Sequence, residues 1–153
     1  MVDWQLTIDA NDPARLVQFW APVLGYEVQP PPEPHASWKA YYLSLGVPDD
    51  ELPDSDWSDR IWDPTGAGPR IWFQIVPEEK AGKNRLHLDI FPTGRDRTLS
   101  LERRRVIVEA KVAELVGRGA RVRHRSTDLE GSEGVDHYGV TMLDPEGNEF
   151  CVA

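Results

Sequence analysis

The sequence holds a single cysteine, Cys151, among 153 residues. One thiol excludes an internal disulfide framework and fits a reducing compartment, so a cytoplasmic protein is expected. No apolar run approaches the roughly 20 residues that a membrane-spanning helix needs. The opening stretch MVDWQLTIDA lacks a basic region followed by a long apolar segment, so no secretory leader is expected. Basic charge is short as well: 17 Lys and Arg stand against 26 Asp and Glu, for a formal net charge of −9. Nucleic acid and anionic membrane surfaces need a basic footprint and are excluded as main partners. The one dense basic run, Arg103, Arg104 and Arg105, reads as a solvated helix face.

What remains is ordinary globular chain, 40% hydrophobic and 28% charged, long enough for one domain with a real core. WQLTIDA (4–10) alternates, with Leu6 and Ile8 on one face and Gln5, Thr7 and Asp9 on the other, which predicts a strand. Asp12-Pro13 supplies a helix cap and first turn, Leu16, Trp20, Val23 and Leu24 supply one apolar face, and Gly25 ends the helix. YEVQ (26–29) is extended and is followed by a proline-rich connection. WKAYYLSL (38–45), rich in aromatics, predicts a strand. Residues 48–69 are acidic, rich in Gly and Pro and irregular, so they read as an inserted loop; its Trp57 and Trp62 are expected to fold back on something. RIWFQIV (70–76) is another strand.

NRLHLDIF (84–91) also alternates: Leu86, Leu88 and Ile90 against Arg85, His87 and Asp89. A second amphipathic helix carries Val108, Val112, Leu115 and Val116, with Gly117 and Gly119 near its end. Strands are expected at 120–126, 137–144 and 148–153. STDLEGSEGVD is a loop, and DPEGN is a turn by its residue types. The element order is βαβββ followed by βαβββ, with unit one at about 1–80 and unit two at about 81–153. LTID (6–9) and LHLD (86–89) open the two halves with a matching tetrapeptide.

Three stretches carry a likeness to a known family: DPARLVQFWAPVLGYEV, GKNRLHLDIF, and LVGRGARV with MLDPEGNEFCV. They resemble the vicinal oxygen chelate superfamily of glyoxalase I, extradiol dioxygenases and bleomycin-resistance proteins, and above all the glyoxalase-like domains common in actinobacteria. The resemblance covers nearly the whole chain apart from the loop at 48–69. It implies an α+β fold, a single glyoxalase-like domain over 1–153 whose two units form a cupped mixed sheet with the helices outside. It also implies four metal-ligand positions, which fall on Gln5, Gln74, His87 and Cys151; taking the LTID/LHLD echo literally puts Thr7 in place of Gln5.

One imidazole, two neutral carboxamides and a thiol are a poor set for a divalent ion, so the expectation is a protein without a resident metal. A displaced set of His87, Asp89 and Glu149 stays open. Strand parity gathers Gln5, Thr7, Asp9, Gln74 and Cys151 with His87 and Asp89 on the polar face, while Trp38, Tyr42, Trp72 and Tyr138 read as core or cup-wall residues whose rings could equally stack on a flat ligand. Two functions follow from the resemblance. One is a lyase, isomerase or dioxygenase-type enzyme acting on a small carbonyl, thiol-conjugated or oxygenated aromatic compound. There His87 serves as acid or base and Asp89 orients it. The other is a module of the bleomycin-resistance type that sequesters a small molecule, with the acidic charge favouring a cationic one. The partner in either case is a small-molecule ligand; a homodimer is compatible with both. His35, His124 and His137 read as structural or solvated.

Overall fold

The computed structural model describes residues 2–128 and 136–153. Most of the predicted loop STDLEGSEGVD lies outside them. The chain divides into two compact units, Met1–Pro77 and Glu78–Ala153. Among the described residues no helix is long and apolar enough to cross a membrane.

Unit one begins with β1 (Gln5–Ala10) and α1 (Pro13–Leu24). The Asp12 carboxylate accepts from the Arg15 backbone N–H at 3.1 Å, and Gly25, at φ 69°, closes the helix in the left-handed conformation. Leu16, Val17, Trp20 and Val23 are buried. Then come β2 (Glu27–Val28), α2 (Trp38–Ser44), β3 (Arg60–Trp62) and β4 (Arg70–Ile75). The strands form one sheet in the order β1-β4-β3-β2, with β1 and β4 parallel and the other pairs antiparallel. Ile61, Ile71 and Phe73 are buried and α1 packs on β3 and β4. Gln5, Thr7 and Asp9 stay exposed on the other face, opposite Arg70, Trp72 and Gln74 in the ladder.

Unit two repeats the plan: β5 (Asp89–Ile90), α3 (Leu101–Gly117), β6 (Arg121–Arg125), β7 (Val140–Leu143) and β8 (Glu149–Val152). Its sheet runs β5-β8-β7-β6, again with the first and last strands parallel. Val140, Met142, Phe150 and Val152 are buried, on the face to which α3 contributes Val108, Val112 and Leu115. The DPEGN turn is held by Asp144, whose Oδ1 accepts from the backbone N–H groups of Glu146 and Asn148. Gly147 supplies its positive φ of 90°.

Three elements differ from the sequence reading. WKAYYLSL is not a strand: Trp38–Ser44 is a helix. Its aromatics fall at i, i+3 and i+4, so Trp38, Tyr41 and Tyr42 share one helical face. Its first turn is capped from two sides, by Ser37 Oγ on Ala40 N and by Asp56 Oδ1 on Trp38 N and Lys39 N. The missing strand of unit one is β3, inside the segment 48–69 that reads as irregular loop. In NRLHLDIF only Asp89 and Ile90 form strand, and Leu86, expected on a buried face, is 81% exposed. Asn84 is instead tied to Glu149: its N–H donates to Oε2 and its side-chain oxygen accepts from the Glu149 N–H. The ladder resumes where Leu88 C=O accepts from Cys151 N–H.

Candidate functional site

The polar face of unit one carries an aromatic and guanidinium cluster centred on Arg60. Asp59, buried, chelates Arg60 through Nε at 2.6 Å and Nη2 at 2.9 Å. The same carboxylate accepts from the indole N–H groups of Trp57 and Trp72, at 3.2 and 3.0 Å. The Arg60 guanidinium lies 3.9 Å from the Trp38 ring centre and 5.9 Å from that of Trp72. Its Nη2 also donates to Tyr42 Oη at 3.3 Å, and Tyr42 stacks on Trp57 at 6.0 Å. Burial works to lower the Arg60 pKa, but the bonds to Asp59 and Tyr42 outweigh it and the guanidinium is held more firmly charged. Beside this cluster lies a cavity of about 170 Å³ whose wall includes Gln5, Gln29, Tyr42, Arg60, Arg70 and Trp72.

Of the unit-one candidates, Gln5, Tyr42 and Trp72 line that cavity. Trp38 is buried beneath Arg60, with its indole N–H donated to the Gln29 carbonyl. Thr7 pairs with Trp72 in the ladder. Gln74 pairs with Asp9 whereas Gln5 pairs with Arg70. The two glutamines are therefore four residues out of step, roughly 13 Å along the strand at about 3.3 Å per residue.

On the polar face of unit two, Asp89, Cys151 and Thr141 stand side by side on three adjacent strands. His87 Nδ1 lies 3.0 Å from Asp89 Oδ1, with both side chains almost half exposed. Thr141 Oγ1 lies 3.6 Å from Cys151 Sγ and 3.2 Å from His124 Nε2. His124, read from sequence as a bystander, therefore belongs to the row. Donor atoms of His87, Asp89 and Cys151 all fall within 4.8 Å of one another. Glu149 does not join them. Its buried carboxylate is held by Lys83 at 3.1 Å and by Arg123.

Tyr138 sits elsewhere, on the α3 side, where its hydroxyl donates to Glu109. Arg125 chelates the same carboxylate at 2.8 and 3.1 Å and holds Glu109 below the usual carboxylate range, while burial pushes the Tyr138 phenol up. Tyr138 lines a separate cavity of about 390 Å³ with Phe91, Arg95, Arg104 and His137.

The donor chemistry tests the metal that the resemblance implies. In unit one, Gln5 and Gln74 offer neutral amide oxygens that the register keeps apart. The four family positions do not fit a divalent site as a set. The described residues that could hold an ion by proximity are His87, Asp89 and Cys151.

Sequence reasoning missed Asp59, Arg60, Arg70 and Gln29. The available signal was the loop tryptophans: Trp57 does fold back, onto Tyr42 and Asp59. Comparison with known families matches residues 5–153 to the one described as glyoxalase-like domain. No curated protein matches. Among solved structures, a glyoxalase/bleomycin resistance protein/dioxygenase family enzyme from Burkholderia phytofirmans PsJN is 14% identical with a TM-score of 0.53, over 99% of this chain and 97% of that one. The fosfomycin resistance protein FosX from Mesorhizobium loti is 12% identical with a TM-score of 0.52, over 99% and 91%. These likenesses establish the fold.

Proposed function

Because the chain belongs to the glyoxalase-like domain family, we propose that it is a small-molecule-binding protein that receives its ligand on the polar face of unit one. The observation that carries this reading is the cavity walled by Gln5, Tyr42, Arg60, Arg70 and Trp72. A flat aromatic wall with a few convergent polar groups is the usual make-up of a small-molecule site. A protein that sequesters its ligand without turning it over needs nothing more. The test is a thermal-shift screen with a panel of small organic compounds, run with and without EDTA. Compounds that raise the melting temperature equally in both series, and lose that effect in a Tyr42→Ala variant, support the reading. Stabilisation that depends on added divalent ion contradicts it.

A second reading, a catalytic one, is favoured by the His87–Asp89 bond in unit two. A carboxylate accepting from Nδ1–H fixes the tautomer and leaves Nε2 as an acceptor, the form of a general base. His87 would then take a proton from a small carbonyl or oxygenated aromatic substrate, with Asp89 orienting the ring. Cys151 is the polar neighbour of that base, and Thr141 in turn touches Cys151. No step of this reading passes through a metal. Turnover lost in His87→Gln with ligand affinity retained would select it over sequestration.

A further inference from the structure

We infer that the unit-one cavity is a recognition subsite for an oxyanion, a carboxylate or a phosphonate, carried on a flat apolar group, and that Arg70 takes its charge. The inference rests on the small-molecule-binding reading above and adds the ligand's charge and shape.

The charge follows from the lining. The chain as a whole is strongly acidic at −9, yet no carboxylate lines this cavity, and two guanidinium groups do. They differ. The charge of Arg60 is answered by Asp59, which chelates it. Arg70 has no acidic partner among the described residues. The cavity therefore carries about one uncompensated positive charge, and an oxyanion is the ligand group that would satisfy it. A cationic ligand, which the net charge alone would favour, finds no carboxylate here to receive it.

The donors point the same way. Tyr42 Oη already accepts from Arg60, so its own proton is available to donate. The carboxamides of Gln5 and Gln29 can donate as well. Arg60 and Trp72 are fixed in advance, because Asp59 holds both the guanidinium and the indole N–H. That anchoring presents the Trp72 ring as a rigid flat wall, with little ordering cost when a ligand stacks on it. At about 170 Å³ the cavity is smaller than the roughly 300 Å³ at which drug-sized sites begin. It fits a ring-sized head group rather than a whole drug-sized molecule.

The experiment uses four probes of one shape and different charge: benzoate, phenylphosphonate, benzamide and benzylamine. Each is titrated into the full chain while the Trp72 indole and Gln5 side-chain signals are followed by NMR. Benzoate or phenylphosphonate is expected to bind about tenfold or more tighter than benzamide, as charge-assisted hydrogen bonds outweigh neutral ones, and benzylamine not at all. The ratio of the two anions tells carboxylate from phosphonate. Arg70→Gln should bring the benzoate-to-benzamide affinity ratio to near one; Arg70→Lys should restore part of it. Arg70 is exposed, so both variants should melt with the wild type. Equal binding of benzoate and benzamide would overturn the charge inference while leaving the small-molecule reading intact. An anion preference that survives Arg70→Gln would overturn the role of Arg70. If no probe moves the Trp72 or Gln5 signals, the cavity is not a ligand site and both fall.

Discussion

The two units are built on one plan and finished differently. Each has a strand, a helix and three strands, and each sheet pairs its first strand in parallel with its last. The register carries the repeat to single residues: Asp9 pairs with Gln74 as Asp89 pairs with Cys151. Thr7 is thereby the counterpart of His87, as the LTID/LHLD echo suggests. The helix-facing sides are alike in character, with Ile71 and Phe73 in one unit and Phe150 and Val152 in the other. The polar faces are not. Unit one presents stacked aromatics, two arginines and a cavity; unit two presents imidazoles, a carboxylate, a hydroxyl and a thiol. A buried face is constrained by packing and changes little, whereas a polar face is free to take on separate chemistry.

The largest effects should test the half of this comparison that says the buried faces are equivalent. Phe73→Ala and Phe150→Ala each remove a fully buried ring, and each should cost about 3–5 kcal/mol by urea denaturation. Costs that differ several-fold would show that the two buried faces are not equivalent. Next comes a change with no counterpart in unit two. Asp59→Ala strips the partner from Arg60 and from two indole N–H groups at once. Breaking such a half-buried pair should cost about 3 kcal/mol and, in the same variant, quench the order of Trp57 and Trp72 seen by near-UV circular dichroism. A loss below about 1 kcal/mol would place the cluster among surface ion pairs.

The repeat was legible in the sequence because its signals are local. Caps at Asp12, a glycine at 25, period-two alternation in LTID and the turn DPEGN all act within a few residues. The helix at 38–44 was misread because its aromatics suit strands by propensity, while their spacing suits a helix, and two caps, the adjacent Ser37 and the distant Asp56, tip the balance. Strand parity placed Cys151 and Asp89 on one face, and the structure pairs their strands. It could not place Arg60 or Asp59. Their importance comes from contacts with Trp38, Tyr42 and Trp72, each at least 12 positions along the chain from one of the pair, and no local pattern reports such contacts.

A smaller effect concerns the α3 side of unit two. Glu109 is held below its ordinary value of 4.5, first by its bonds to Arg125. A depressed carboxylate stabilises the fold above that ordinary value, and the contribution disappears as pH falls through the lowered one. Wild type should therefore exceed Glu109→Gln by about 1 kcal/mol at pH 7, a modest figure because the pair is partly exposed and screened. The two should converge in acid, below pH 4.5. A difference that is constant with pH would mean that Glu109 acts through packing rather than charge.

The smallest stability effect is expected at the pair on which the catalytic reading turns. His87 and Asp89 are nearly half exposed and precede or open the short strand β5, so their bond competes with water and contributes little to folding. His87→Gln and Asp89→Asn should each shift stability by less than about 0.5 kcal/mol. In Thr7, the counterpart in unit one, Thr7→Val should be equally mild. If the polar faces have diverged as argued, the pairs then separate on function. The unit-two variants should lower turnover and keep ligand affinity, while Thr7→Val leaves turnover unchanged. The two members of the pair should also differ from each other. Asp89→Asn keeps an acceptor for Nδ1–H and so preserves part of the orientation, whereas His87→Gln removes the base itself. The measurement is paired: denaturation midpoint and ligand affinity or turnover for each variant. A His87→Gln protein that melts much earlier yet binds and reacts normally would reduce His87 and Asp89 to a structural pair and leave unit one as the only functional face.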